Sequence, residues 1–173
     1  VTIVCSDFEQ DLCSHTQTFD QKMKDYPKRW TNDDFARMSW HDDVVHGIRI
    51  RNPDDETYDF ELVFDLDYIL EWVPAGGGFD FVVAPALLVF HGVNDLKFNF
   101  NLSYKQSIQI NGVDREEITT EPERKAGLRK WRFRIHLHHD QADAVTFEAM
   151  GFTQELTKDP VVPERQWLED GER

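Results

Sequence analysis

Between Tyr58 and Asp67 the chain alternates strictly. Tyr58, Phe60, Leu62, Phe64 and Leu66 fall on one side; Asp59, Glu61, Asp65 and Asp67 fall on the other, with Val63 the single apolar residue among the acids. Side chains alternate sides only in a strand, so this stretch predicts a β-strand with one face in a core and a row of carboxylates on the other. It continues or bends through Tyr68–Trp72. The same period recurs in Val44–Arg51, in Trp131–His138 and in Val145–Ala149, the last continued by 152–156. Leu96, Phe98 and Phe100 predict a further strand, and Ser107–Ile110 another, ended by Asn111–Gly112. From Phe79 to His91 an apolar run is broken at Pro85, which predicts an edge position or a bulge because proline has no N–H for a ladder.

Turn-forming residues separate these segments: Asn52–Asp55, Pro74–Gly78, Gly92–Asp95 and Asp140–Asp143. Glu116–Lys130 reads as a charged, exposed loop. No segment has a strand–helix–strand rhythm, so the chain is expected to be mainly β: an antiparallel β-sandwich or open barrel of seven or eight strands, with a short N-terminal helix. That helix is expected over Gln17–Tyr26, ended by Pro27. Thr31 reads as the N-cap of a second helical turn through Met38. The expected organisation is an N-terminal extension (1–30), partly helical or flexible, a single antiparallel β domain (31–157) and a polar, irregular C-terminal tail (158–173). Tyr58, Phe60, Leu62, Phe64, Phe98, Trp131, Phe133, Ile135 and Phe147 are expected in the core.

Composition narrows the class. With 40% hydrophobic residues, 13 Phe and 5 Trp, the chain of 173 residues has enough apolar surface for a folded domain. No apolar run approaches the roughly 20 residues of a membrane span, and no basic segment followed by an apolar one marks a secretion signal. Cys5 and Cys13 are the only cysteines and are expected to be reduced thiols of a cytoplasmic protein.

Charge adds a direction. The net charge is -14, and it is uneven: Met38–Leu102 holds 12 acidic and 3 basic residues, Ser103–Arg173 holds 14 and 11. Such a field repels phosphates and attracts cations, so a cationic protein partner is expected and nucleic acid is not. Asp59, Glu61, Asp65, Asp67, Glu71 and Asp80 are the candidate partner-binding acidic face. The basic residues Arg124, Lys125, Arg129, Lys130, Arg132 and Arg134 lack interleaved aromatics for stacking on bases.

For chemistry, the candidate polar cluster is His41, Asp42, His46, Asp65, Asp67 and His91. Imidazole and carboxylate together suit zinc, iron or manganese. Yet His41 and His46 are five apart, an odd spacing that puts them on opposite faces of a regular strand. His136 and His138 share a face but lead into a turn, without the glutamate that a His-x-His metal site would add. No nucleophile elbow, phosphate-binding loop or dinucleotide fingerprint occurs. No catalytic residue, metal site or cofactor is therefore assigned.

Ser39–Trp40–His41–Asp42 with Val45–His46–Gly47, then Asp67–Trp72, then Ala84–Pro85–Ala86 with Val89–Val93 and Leu96, and finally Phe147–Ala149 with Gly151–Gln154, resemble a family of small uncharacterised bacterial proteins. The order of these segments is also similar, more distantly, to immunity proteins of bacterial polymorphic toxin systems. The resemblance covers about residues 35 to 157 and implies a bacterial, cytosolic, non-catalytic protein. The leading expectation is thus a non-enzymatic interaction protein, immunity-like, that meets a cationic partner through its acidic surface. The alternatives are a metal-dependent hydrolase or small-ligand enzyme built on the His/Asp cluster, and an acidic β-domain acting as a subunit of a complex.

Overall fold

A computed structural model describes residues 24–53, 59–99, 107–137 and 144–173. Among these, nine strands form one antiparallel sheet: β1 (Arg29–Thr31), β2 (Asp43–Arg51), β3 (Glu61–Ala75), β4 (Gly78–His91), β5 (Asn94–Asn99), β6 (Ile108–Glu117), β7 (Trp131–Leu137), β8 (Ala144–Ala149) and β9 (Gly151–Leu156). Their order across the sheet is β1-β9-β4-β3-β2-β6-β7-β8-β5. The expected β class and antiparallel pairing are present, as one sheet whose edges do not close into a ring. The proposed helix over Gln17–Tyr26, the side chain of Tyr58, the two cysteines, His138 and the Asp140–Asp143 turn lie outside the described residues, apart from Lys24–Tyr26, which are irregular.

The sheet is strongly curled. Phe90 in β4 and Phe133 in β7 are four ladder steps apart, roughly 19 Å in a flat sheet, yet their ring centroids are 4.9 Å apart. Phe90 also meets Phe147 of β8 at 4.6 Å, edge to face. The inward faces thus share one core containing Leu62, Phe64, Leu66, Leu88, Phe90, Phe133, Ile135 and Phe147, all essentially inaccessible to water.

A bent two-stranded ribbon stitches the curled ends together. β4 passes into β5 through Gly92–Val93, while β8 passes into β9 through Met150. His91 is paired with Gly151 on one side of the bend and Asn94 with Glu148 on the other. The Met150 N–H donates to the His91 carbonyl across it, at 2.9 Å. Strands that bend from one layer into the next are a common way to build such corners. Gly92 (φ 62°) and Gly151 (φ 154°) adopt backbone angles disfavoured for other residues. A Cβ on Gly151 would lie 1.8 Å from Asn32 Nδ2. Asn32 in turn accepts from the Phe152 N–H at 3.1 Å.

The helical turn expected after Thr31 is present as a six-residue 3-10 helix, Asn32–Arg37. Other expectations are corrected. β6 runs through Asn111–Gly112 with a register shift instead of ending there. The loop after it contains a short helix α1, Glu121–Lys125, capped by Thr120 and Glu123. Pro85 causes neither an edge nor a bulge: it sits inside β4, opposite Asp67 of β3. Its carbonyl accepts the Thr157 N–H, so its backbone polar side points away from β3 and toward the end of β9, and the β3 ladder loses no donor. Phe60 (44% exposed) and Phe98 (45%) are not core residues. Phe60 precedes the β3 ladder, and Phe98 lies on β5, which ends the sheet order. Trp131 is half-buried, with the Arg115 guanidinium 4.0 Å above its ring.

Candidate functional site

The outward face of β3 carries Glu61, Val63, Asp65, Asp67 and Ile69. It is not the open acidic face that alternation alone predicts. Residues 157–173 leave the end of β9 and run across it. Val161 exchanges two backbone hydrogen bonds with Val83 of β4, both 2.9 Å. Leu168 is buried against Ile69 and Val83, with Phe81 alongside. This seat fixes the backbone of Leu168, whose N–H donates to Asp67 Oδ2 at 2.9 Å.

Asp67 is 0% exposed, and a buried carboxylate needs every lone pair engaged. His46 Nε2 is 2.8 Å from Oδ2, and the Arg173 guanidinium donates to Oδ1 at 2.6 Å. The other arm of Arg173 donates to Asp65. One planar cation therefore bridges two acids of the same strand face, a geometry suited to arginine. His46 reaches Asp67 because the β2 register shifts between Val45 and Gly47, which re-aims its side chain. Gln166 of the same crossing segment donates to Asp42 Oδ2 at 3.1 Å, and His41 Nδ1 is 3.2 Å from that oxygen.

Asp43, one residue along, points to the inner side and is fully buried. Its Oδ1 accepts the Ile69 N–H at 2.9 Å, and its Oδ2 has no partner among the described residues. Burial above all, with Asp67 and Asp42 adding like charge against the Ile69 hydrogen bond, holds its pKa well above the usual carboxylate range.

His91 does not belong to this cluster. It lies opposite Glu61, six residues along β3 from Asp67, or roughly 20 Å. There Glu61 receives the Arg51 Nε–H at 2.6 Å and lies 2.8 Å from His91 Nδ1, while His91 Nε2 is 3.0 Å from Thr153 Oγ1. Burial pushes the Glu61 pKa up, but the hydrogen bonds from Arg51 and His91 outweigh it and the net shift is downward. The order Thr153–His91–Glu61 has the connectivity of a nucleophile, base and orienting acid. It lies on a sheet face where Thr153 is paired on both sides, with Thr31 and with Val89. An oxyanion hole needs backbone N–H groups free to face the reacting atom, and a ladder consumes them.

The remaining members of the expected acidic face are dispersed. Asp59 is exposed. Glu71 accepts from the Tyr26 hydroxyl at 2.6 Å and from Lys24 at 3.3 Å. The Tyr26 hydroxyl and Lys24 hold its pKa below the usual range. Asp80 faces Val73 across the hairpin. No group of three His, Cys, Asp or Glu among the described residues is arranged to hold a metal ion. Asp67, the acid nearest such a role, already has its oxygens engaged by Arg173, Leu168 and His46.

Sequence reasoning missed an aromatic arm. β3 and β4 pair with each other as far as Ala75 and Gly78, whereas β2 stops at Asp67 on one side and β9 at Ala86 on the other. The hairpin tip therefore projects beyond its neighbours. Trp72 is paired with Phe81, and Pro74 with Phe79, so these side chains share one face. The Trp72 ring is 5.8 Å from Phe79, 4.9 Å from Phe81 and 6.3 Å from His41. Trp72 remains 41% exposed and Phe79 54%. The signal was the spacing Trp72/Pro74 and Phe79/Phe81 on either side of the glycine turn. At the opposite end of the sheet, an open cleft of about 360 Å³ is lined by Ile50, Phe60, Val93, Asn94, Asp95 and Leu96.

No family model, curated protein or solved structure matches this chain. Among the described residues no helix is long and apolar enough to cross a membrane.

Proposed function

We propose that this is a non-enzymatic, immunity-like interaction protein whose acidic character suits a cationic protein partner. The observation that carries this reading is the β3–β4 arm, which projects beyond the sheet with Trp72 and Phe79 substantially exposed on one face. Exposed aromatics held on a rigid hairpin are the side chains that anchor protein interfaces, because they bury large areas at little entropic cost. The net charge of -14 supplies a long-range field that speeds encounter with a positively charged partner and opposes contact with nucleic acid. The internal pairing of Asp65, Asp67 and Glu61 speaks for structural roles rather than acid–base work.

The test is capture of binding proteins from a bacterial extract by the wild-type chain and by the double variant Trp72→Ala/Phe79→Ala. Loss of two interface anchors should weaken a true partner at least 100-fold, taking roughly 2 kcal/mol or more per anchor. Its capture should also fall as salt rises. A wild-type partner that is neutral, or one retained equally by the double variant, would contradict the reading.

A further inference from the structure

We infer that residues 160–173 act as a built-in ligand, and that the outward face of β3 beneath them is a groove for a cationic segment carrying an apolar residue and an arginine. The inference goes beyond the aromatic arm and does not depend on it. Three features point to a binding groove rather than to ordinary chain packing. The crossing segment is irregular over most of its length and pairs strand-like with the sheet through one short bridge at Val161. Its side chains reach the sheet at Leu168, in the slot formed by Ile69 and Val83, at Arg173, forked between Asp65 and Asp67, and at Gln166, which donates to Asp42. The groove reads backbone as well, since Asp67 accepts the Leu168 N–H.

The occupant's net charge has the same sign as its site. Lys158–Arg173 contains five acidic residues and three basic ones, yet lies on a face of acids. Of the segment's basic side chains, Arg173 reaches both β3 carboxylates, while Arg165 pairs with Glu169. The segment is held by tethering as much as by affinity, because a short connection gives an effective concentration in the millimolar range. A segment with the same leucine and arginine but without the surrounding acids would bring more net positive charge to Asp42, Asp65 and Asp67 than the native segment does. The groove therefore suits a basic segment of another protein, which would displace the tail and engage Asp42, Asp65 and Asp67.

The probe is a fluorescent peptide of residues 160–173 with Glu164→Gln, Glu169→Gln, Asp170→Asn and Glu172→Gln. It is titrated against the full chain and against the full-chain variant Leu168→Ser/Arg173→Ala, whose tail lacks the leucine and the arginine. The variant should bind the peptide at least tenfold more tightly than the wild type. Adding Asp65→Asn, which removes an acid whose cation partner is Arg173, should reverse most of that gain. Equal binding to wild type and variant, or binding indifferent to Asp65→Asn, would overturn the inference. If the double variant fails to show a native β-sheet spectrum, Arg173→Ala alone carries the test, with a gain of at least threefold expected and no gain contradicting it.

Discussion

The two faces of β3 are built from alternate residues of one strand and behave as two different materials. The inward face, Leu62, Phe64, Leu66 and Tyr68, packs into a continuous core against β4, β7 and β8. The outward face, Glu61, Asp65, Asp67 and Ile69, is also largely shielded, but by a mixture of ion pairs, one leucine and an irregular segment. Burial is similar at Phe64 and Asp67, both 0% exposed. The means differ: on one side close packing by paired strands, on the other an irregular strap held by a few contacts. Equal burial therefore does not imply equal contribution to stability.

The largest expected effect lies on the inward face. Phe64→Ala should destabilise the chain by about 3–5 kcal/mol, because the ring's transfer energy is lost and rigid neighbours leave a cavity. Leu168→Ala, a change of similar chemistry on the outward face, should cost only about 1–2 kcal/mol. A buried leucine normally loses about 2–5 kcal/mol on truncation, but here the strap can lift and expose the site to water instead of preserving a cavity. Urea denaturation of both variants checks the pair. Equal losses would mean that the strap is core.

A smaller effect should appear in pH dependence. Asp43 is buried with a raised pKa, so the folded state binds its proton more tightly than the unfolded state does. Stability should then decline as pH rises from about 4, the unfolded carboxyl range, toward the folded pKa of Asp43. Asp43→Asn keeps the acceptor for the Ile69 N–H and removes the titration. The stability difference between variant and wild type should therefore shift in the variant's favour as pH rises from 4.5 to 8. Glu61 runs the other way. Its lowered pKa contributes stability present above the unfolded value and lost as pH falls through the folded one, so Glu61→Gln should flatten the acid limb.

The contrast between the faces also explains what the sequence could convey. Alternation located β3, β2, β7 and β8, because a half-buried strand imposes period two on its residues. It identified the side of β3 that faces the core, since apolar residues sort inward. It carried no information on whether the polar side was wet. Asp67 is buried by Leu168 and Arg173, a hundred residues away in sequence and in a segment without periodicity. The β2 register shift that aims His46 at Asp67 leaves no mark in composition either. Pro85 misled because a proline forbids one donor, and the harm depends on which neighbour that donor would have served. Phe60 and Phe98 fit the apolar pattern but lie where the sheet runs out. The aromatic arm was readable in principle: strands much longer than their neighbours, joined by Gly76–Gly78, must project.

The strap over Asp65, Asp67 and Ile69 should open independently of the core, and amide hydrogen exchange measures this directly. The Leu168 and Val161 N–H groups, bonded to Asp67 and to the Val83 carbonyl, should be protected in the wild-type chain. They should exchange much faster than Phe64 and Leu66, and lose protection in Arg173→Ala while those core amides keep theirs. Leu168 and Val161 exchanging at the rate of an open chain, or only together with Phe64 and Leu66, would contradict the account.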